Sequence, residues 1–195
     1  MKLAVLASGN GTNLQAIIDA IKDGTLQGTS ISYVVSDHPD SGAIGRAQKN
    51  NITTVIVRKG NMVGLLKPIF EEVDLVVLAG FLKILPMELL GIRPIINIHP
   101  SLLPFFGGKG MYGLNVHEEV LKSGMKVTGA TVHFVTEDID GGPIIMQKCM
   151  QVEDDDTPES LQERIHHVEH EILIQCIREL RNKNYKIVGK RVIFP

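Results

Sequence analysis

No long apolar run, no excess of charge of one sign and no cysteine cluster occurs in this chain of 195 residues, and each absence removes a class of protein. No stretch approaches the roughly 18 continuous apolar residues of a membrane helix. The opening run, Met1 to Ala7, is too short for the core of a signal peptide before glycine and polar residues follow. No membrane partner is expected, and the expected compartment is the cytoplasm. Lys and Arg number 20 against 22 Asp and Glu, for a formal net charge of −2, and no basic run is long enough to track a phosphate backbone. Nucleic acid is therefore not an expected partner. Cys149 and Cys176 lack metal-ligand spacing and read as buried thiols rather than a disulfide. Without internal repeat, low-complexity tract or linker, residues 1–195 read as a single domain large enough for a sizeable core.

What is present is alternation. Short Val- and Ile-rich runs at Leu3 to Ala7, Ile31 to Ser36, Thr53 to Val57, Leu75 to Ala79 and Ile95 to Ile98 read as strands buried on both faces. Between them Asn13 to Lys22, Gly42 to Asn50 and Val63 to Val73 carry helical periodicity. Strand and helix in repeated alternation predict an α/β fold, an open, mostly parallel sheet with helices on both faces. Beyond Ile98 a loop rich in Gly and Pro surrounds a helix at Val116 to Lys122. Two longer strands follow, Thr128 to Val135 and Pro143 to Val152, joined through Asp138-Ile139-Asp140-Gly141-Gly142 and predicting an antiparallel region towards the C-terminus. Thr157-Pro158 predicts the start of the longest helix, running to about Arg181, and a terminal hairpin turns at Gly189-Lys190.

Ser8-Gly9-Asn10-Gly11-Thr12-Asn13 lies between the first strand and the first helix. Glycines allow a tight turn, and free N–H groups at a helix start suit a phosphate. The same residues could be no more than a turn with its helix cap. A dinucleotide site is a third reading, with Asp37 closing the second strand, but Leu14 stands where the third glycine of that fingerprint belongs. One monophosphate suits the loop better than a pyrophosphate.

The run Ile95-Ile96-Asn97-Ile98-His99-Pro100-Ser101-Leu102-Leu103-Pro104 is the most informative. Asn97 and His99 share a strand face at the carboxyl end of a parallel strand, where open α/β sheets bind their ligands. An amide and an imidazole together can hold a developing oxyanion and exchange a proton. Asp138 or Asp140 is available as a carboxylate that would raise the pKa of the imidazole. Taken by themselves these residues point to acyl or amine chemistry.

Four strings together resemble the folate-dependent phosphoribosylglycinamide formyltransferase family: Ser8-Gly9-Asn10-Gly11-Thr12-Asn13-Leu14-Gln15, Leu78-Ala79-Gly80-Phe81-Leu82-Lys83-Ile84-Leu85, Asn97 to Pro104, and Val132-His133-Phe134-Val135 with Asp140-Gly141-Gly142-Pro143. The resemblance runs from Met1 to about Leu180. It implies transfer of a formyl group from 10-formyltetrahydrofolate to the amine of 5-phosphoribosylglycinamide, without a metal, by a monomer or homodimer. It implies that Asn97 and protonated His99 stabilise the tetrahedral intermediate and that Asp140 raises the pKa of His99. Gly11, Thr12 and Asn13 would hold the substrate phosphate, and His166, His167, Val168 and Glu169 would meet the ribonucleotide. Leu82, Lys83, Ile84 and Leu85, with Asn97 and the loop Thr136, Glu137, Asp138, Ile139 and Asp140, would hold the folate. Glu169 also reads as part of a solvated helix face. His166 and His170 share a helix face, but no third metal ligand is evident.

The chain departs from the pattern in three places. Arg58 to Val73 is short, Lys83 stands where arginine is common, and Phe105 to Asn115 is long. The rivals are a 10-formyltetrahydrofolate hydrolase, with water as acceptor, and a non-catalytic nucleotide- or folate-binding protein. A methionyl-tRNA formyltransferase would need a further C-terminal domain and a basic surface, neither of which is expected here.

Overall fold

The computed structural model describes residues 1–195, and its chain divides into two compact units, Met1–Asn97 and Ile98–Pro195. The first is built by crossover. Strand β1 (Lys2–Leu6) leads through α1 (Thr12–Lys22) to β2 (Ser30–Ser36), and α2 (Gly42–Lys49) leads to β3 (Thr53–Ile56). Helix α3 (Met62–Glu72) then returns the chain to β4 (Leu75–Leu78). After an irregular stretch and a single 3-10 turn at Met87–Leu89 comes β5 (Ile95–His99), whose last two residues belong to the second unit. The strands lie in the order β3-β2-β1-β4-β5, and every pairing is parallel.

Burial explains why these segments hold. Leu3, Ala4, Val5 and Leu6 of β1 are fully buried, as a strand with a neighbour on each side requires. On α1 the buried stripe is Leu14, Ile17 and Ile18, the spacing of one helix face. Strand β3 departs from the expectation of burial on both faces: Thr53 is exposed and Thr54 to Ile56 are half-buried, because β3 is the sheet edge.

The second unit contains α4 (Leu114–Lys122), β6 (Val127–Phe134), β7 (Ile144–Gln151), α5 (Pro158–Asn182), β8 (Lys186–Val188) and β9 (Arg191–Ile193). Strands β6 and β7 are antiparallel, as are β8 and β9, while β7 meets β9 in parallel. Helix α5 begins on a reciprocal cap: Ser160 N–H donates to Thr157 Oγ1 at 3.2 Å and Thr157 N–H donates to Ser160 Oγ at 2.9 Å. Leu161 and Ile165 of α5 pack with Val120 of α4 in a fully buried cluster. Cys176 is buried on α5, as expected, but Cys149 is exposed. Along β7 the residues Gln147, Cys149 and Gln151 form an exposed face alternating with half-buried Lys148 and Met150. The predicted α/β class, with an open, mostly parallel sheet and antiparallel strands towards the C-terminus, is the fold observed.

Candidate functional site

Strand β5 ends on His99, which is only 4% exposed. Its Nε2 lies 2.8 Å from the Phe106 carbonyl oxygen. A carbonyl can only accept, so Nε2 carries the hydrogen. The other nitrogen, Nδ1, faces Asp140 Oδ2 at 3.7 Å. Asp140 Oδ2 also accepts the Gly108 N–H at 2.8 Å, so one carboxylate oxygen engages both the imidazole and the loop that covers it.

Local geometry puts Asp140 there. The chain leaves β6 at Phe134 and turns back to enter β7 at Ile144, and a side chain at Gly142 would meet the Phe134 carbonyl oxygen at 1.8 Å. Only glycine fits, which is the physical content of the Asp-Gly-Gly string. Asp140 itself sits at a φ of 53°, a left-handed conformation that its surroundings must hold. Of the two candidate aspartates, Asp140 is the one beside His99; Asp138 is exposed, its side chain packed against Gly141.

The covering turn is fixed from below. Ser101 Oγ donates to the Phe105 carbonyl at 2.6 Å, and Thr131 Oγ1 donates to the Ser101 carbonyl at 2.6 Å. Gln147 Nε2 donates to the Leu103 carbonyl at 2.9 Å. Phe106, whose carbonyl holds His99, has a φ of 54°. Neither this carbonyl nor the Gly108 N–H was foreseeable, since Phe105 to Asn115 has no periodicity and the contacts are made by main-chain atoms.

Electrostatics correct one expectation. Burial is the largest influence on His99 and drives its pKa below the usual imidazole value; Asp140 and the Phe106 carbonyl pull upward but do not win. At neutral pH His99 is therefore mainly neutral, with its hydrogen on Nε2. Burial pushes Asp140 upward, yet His133, His99 and the Gly108 N–H together hold it below the usual carboxylate range. His133 was quoted only as part of a string. Its Nε2 lies 3.6 Å from Asp140 Oδ1, and its position at the end of β6, just before the acidic loop, was the available signal.

Within the first unit the glycine loop and the Leu82 to Leu85 segment are joined. Ser8 N–H donates to the Gly80 carbonyl at 3.0 Å, and Leu82 N–H donates to Ser8 Oγ at 2.9 Å. Gly11 is the N-cap of α1 at a φ of 72°, and a side chain there would lie 2.8 Å from Ala43 Cα. No side chain caps this helix start, so Thr12 and Asn13 are not spent as caps. Asn13 is buried, and its Oδ1 has no hydrogen-bond partner. Leu82, Lys83 and Ile84 are exposed and Leu85 is buried. The Asp37 side chain is buried, with its carboxylate 3.4 Å from Lys83 Nζ and 3.5 Å from His38 Nε2.

On α5, Val168 and Glu169 are buried and His167 is exposed, so Glu169 does not belong to a solvated face. His166 Nε2 lies 3.9 Å from Glu169 Oε2, and the His166 and His170 rings stack 6.3 Å apart. Opposite them on α4, His117 is 1% exposed with its pKa pushed down to about 4, chiefly by burial. Of the folate loop, Thr136, Glu137, Asp138 and Ile139 are exposed.

Fold and site together define a class: an α/β protein whose fifth parallel strand ends on a buried imidazole paired with a carboxylate, an arrangement suited to acid–base group transfer. The chain belongs to the formyl transferase family, whose profile, described as Formyl transferase, matches residues 1–177. It is similar to the chloroplastic phosphoribosylglycinamide formyltransferase of Arabidopsis thaliana, 38% identical over 198 residues, covering 95% of this chain and 67% of that protein. The corresponding protein of Bacillus subtilis is 37% identical over 193 residues, covering 94% of this chain and 96% of that one. The chain spans a smaller share of some relatives, 60% of the Vigna unguiculata protein and 18% of the trifunctional purine biosynthetic protein of Bos taurus. Among solved structures, glycinamide ribonucleotide transformylase 1 from Symbiobacterium toebii superposes with a TM-score of 0.91 at 36% identity, covering 100% of this chain and 93% of that one.

Proposed function

We propose that the chain transfers the formyl group of 10-formyltetrahydrofolate to the amine of 5-phosphoribosylglycinamide, a step of purine biosynthesis, and that residues 1–195 act as one formyltransferase domain in the cytoplasm. The observation that carries this reading is the buried His99–Asp140 pair at the end of β5, in a chain matched by the formyl transferase family over most of its length.

In this reading the substrate amine attacks the formyl carbon and negative charge grows on the formyl oxygen. Asn97 and the His99 Nε2–H donate to that oxygen, which takes the place of the Phe106 carbonyl. The attacking amine loses one proton and the leaving folate nitrogen gains one, a net transfer that water beside His99 can carry while Nε2–H stays on the oxygen. Asp140 pulls the pKa of His99 upward and orients the ring. Gly11, Thr12 and Asn13 hold the phosphate through the N–H groups at the start of α1 and the side-chain donors of Thr12 and Asn13, which no helix cap consumes. Glu169, with His166, His167 and Val168, meets the ribonucleotide. Leu82, Lys83, Ile84 and Leu85 line the folate pocket, and Thr136 to Asp140 close over it.

The test is absorbance-monitored consumption of 10-formyltetrahydrofolate, or its dideaza analogue, with and without 5-phosphoribosylglycinamide. Consumption that depends on the ribonucleotide is expected. Equal consumption without it would assign a hydrolase, and bound but unconsumed folate would leave a binding protein.

A further inference from the structure

Asp140 faces two imidazoles. His133, 2% exposed at the end of β6, presents Nε2 to Asp140 Oδ1 at 3.6 Å, while His99 presents Nδ1 to Oδ2 at 3.7 Å. Each histidine gives its other nitrogen to a main-chain carbonyl: His99 Nε2 to Phe106 at 2.8 Å, His133 Nδ1 to Phe134 at 2.9 Å. Carbonyls only accept, so His99 Nε2 carries hydrogen; a carboxylate only accepts as well, so His133 holds Oδ1 through hydrogen on its Nε2. The register of β6 against β7 shifts between Val132 and His133, where the strand gives way to the acidic loop.

We infer that His133 is a positioning residue of this site, holding Asp140 by Oδ1 so that Oδ2 stays aimed at His99. The inference rests on the assignment of His99 and Asp140 to the reacting centre. Rotation of a carboxylate about its terminal torsion is soft and nearly two-fold. Gly108 N–H restrains one oxygen only. With His133 in place each oxygen has its own partner, and the left-handed backbone at Asp140 is held from both sides. The Phe134 carbonyl alone would satisfy a histidine kept for packing; the contact to Asp140 goes beyond that need.

The two nitrogens make the roles separable. An asparagine amide reaches about as far as Nδ1, a glutamine amide about as far as Nε2. His133→Ala is expected to lower kcat by about 10- to 100-fold, as loss of a partner that orients a working group commonly does, with both KM values within about 3-fold. His133→Gln should recover most of kcat and His133→Asn should not. Recovery by Asn rather than Gln would mark the Phe134 anchor as the whole role and overturn the inference, as would near wild-type kcat in His133→Ala.

A second readout needs no turnover and so separates this inference from the proposed reaction. The groups facing His99 are Asp140 from its loop, His133 from β6 and His117 from α4. If Asp140 drifts, its upward pull on His99 weakens. The NMR titration of the His99 ring should then move to lower pH in the Ala and Asn variants and stay in place with Gln; an identical titration in all three overturns the inference. Should the His133 variants fail to fold, the 15N resonance of His133 Nε2 decides between wild type and Asp140→Asn. A shift is expected, and an unmoved resonance overturns the contact.

Discussion

His99 has a partner on each ring nitrogen, and in the proposed reaction it and its carboxylate serve the chemistry rather than the fit of a ligand. His99→Ala and Asp140→Asn are each expected to lower kcat by about 10²- to 10⁴-fold, the range of acid–base groups, with much smaller changes in KM. Steady-state kinetics check this, and a variant with near wild-type turnover would remove its residue from the reaction. The two thiols separate just as clearly. Cys149 is exposed, whereas Cys176 is buried with its thiol pushed well up by burial, which keeps it from forming the reactive thiolate. A thiol reagent should titrate one cysteine quickly in the native protein and both after unfolding.

At the scale of elements, the loop from β6 to β7 and the start of α5 carry separate tests. Gly142→Ala forces a methyl group against the Phe134 carbonyl, so the Asp140 loop must move. Thermal unfolding should show a loss larger than the about 1 kcal/mol expected for Thr157→Ala, which removes one half of the α5 cap. Turnover should fall with Gly142→Ala as well. Much of this level was legible in the sequence. The glycine and proline punctuation marked each strand and helix to within two residues, and Thr157-Pro158 marked the α5 start. Sequence did not tell how many neighbours a strand has, so the exposed edge of β3 and the open face of β7 were missed. In the site, His99 and a nearby aspartate were readable from their strings. The choice of Asp140 over Asp138, the second histidine and the Phe106 carbonyl depend on how the ends of β5 and β6 and two loops meet, which spacing does not encode.

For the molecule as a whole, acid is the weak point. His117 is lowered from 6.5 to about 4, and burial also lowers His99, His166 and His170. Groups whose folded pKa is depressed bind more protons when unfolded, so the stability they contribute is full above about pH 6.5 and is lost as pH falls towards 4. For His117 alone the loss is of order 3 kcal/mol. Denaturant titrations between pH 7 and pH 4.5 should show this decline, and His117→Phe should flatten it; an unchanged slope would mean that His117 is already charged in the native protein. The Phe106 carbonyl on His99 has a consequence of another kind. It already occupies the Nε2–H of His99 that the proposed reaction assigns to the formyl oxygen. Under the proposed reaction an incoming formyl oxygen trades places with a main-chain oxygen, so docking of the donor and rearrangement of the Phe106 turn become one event.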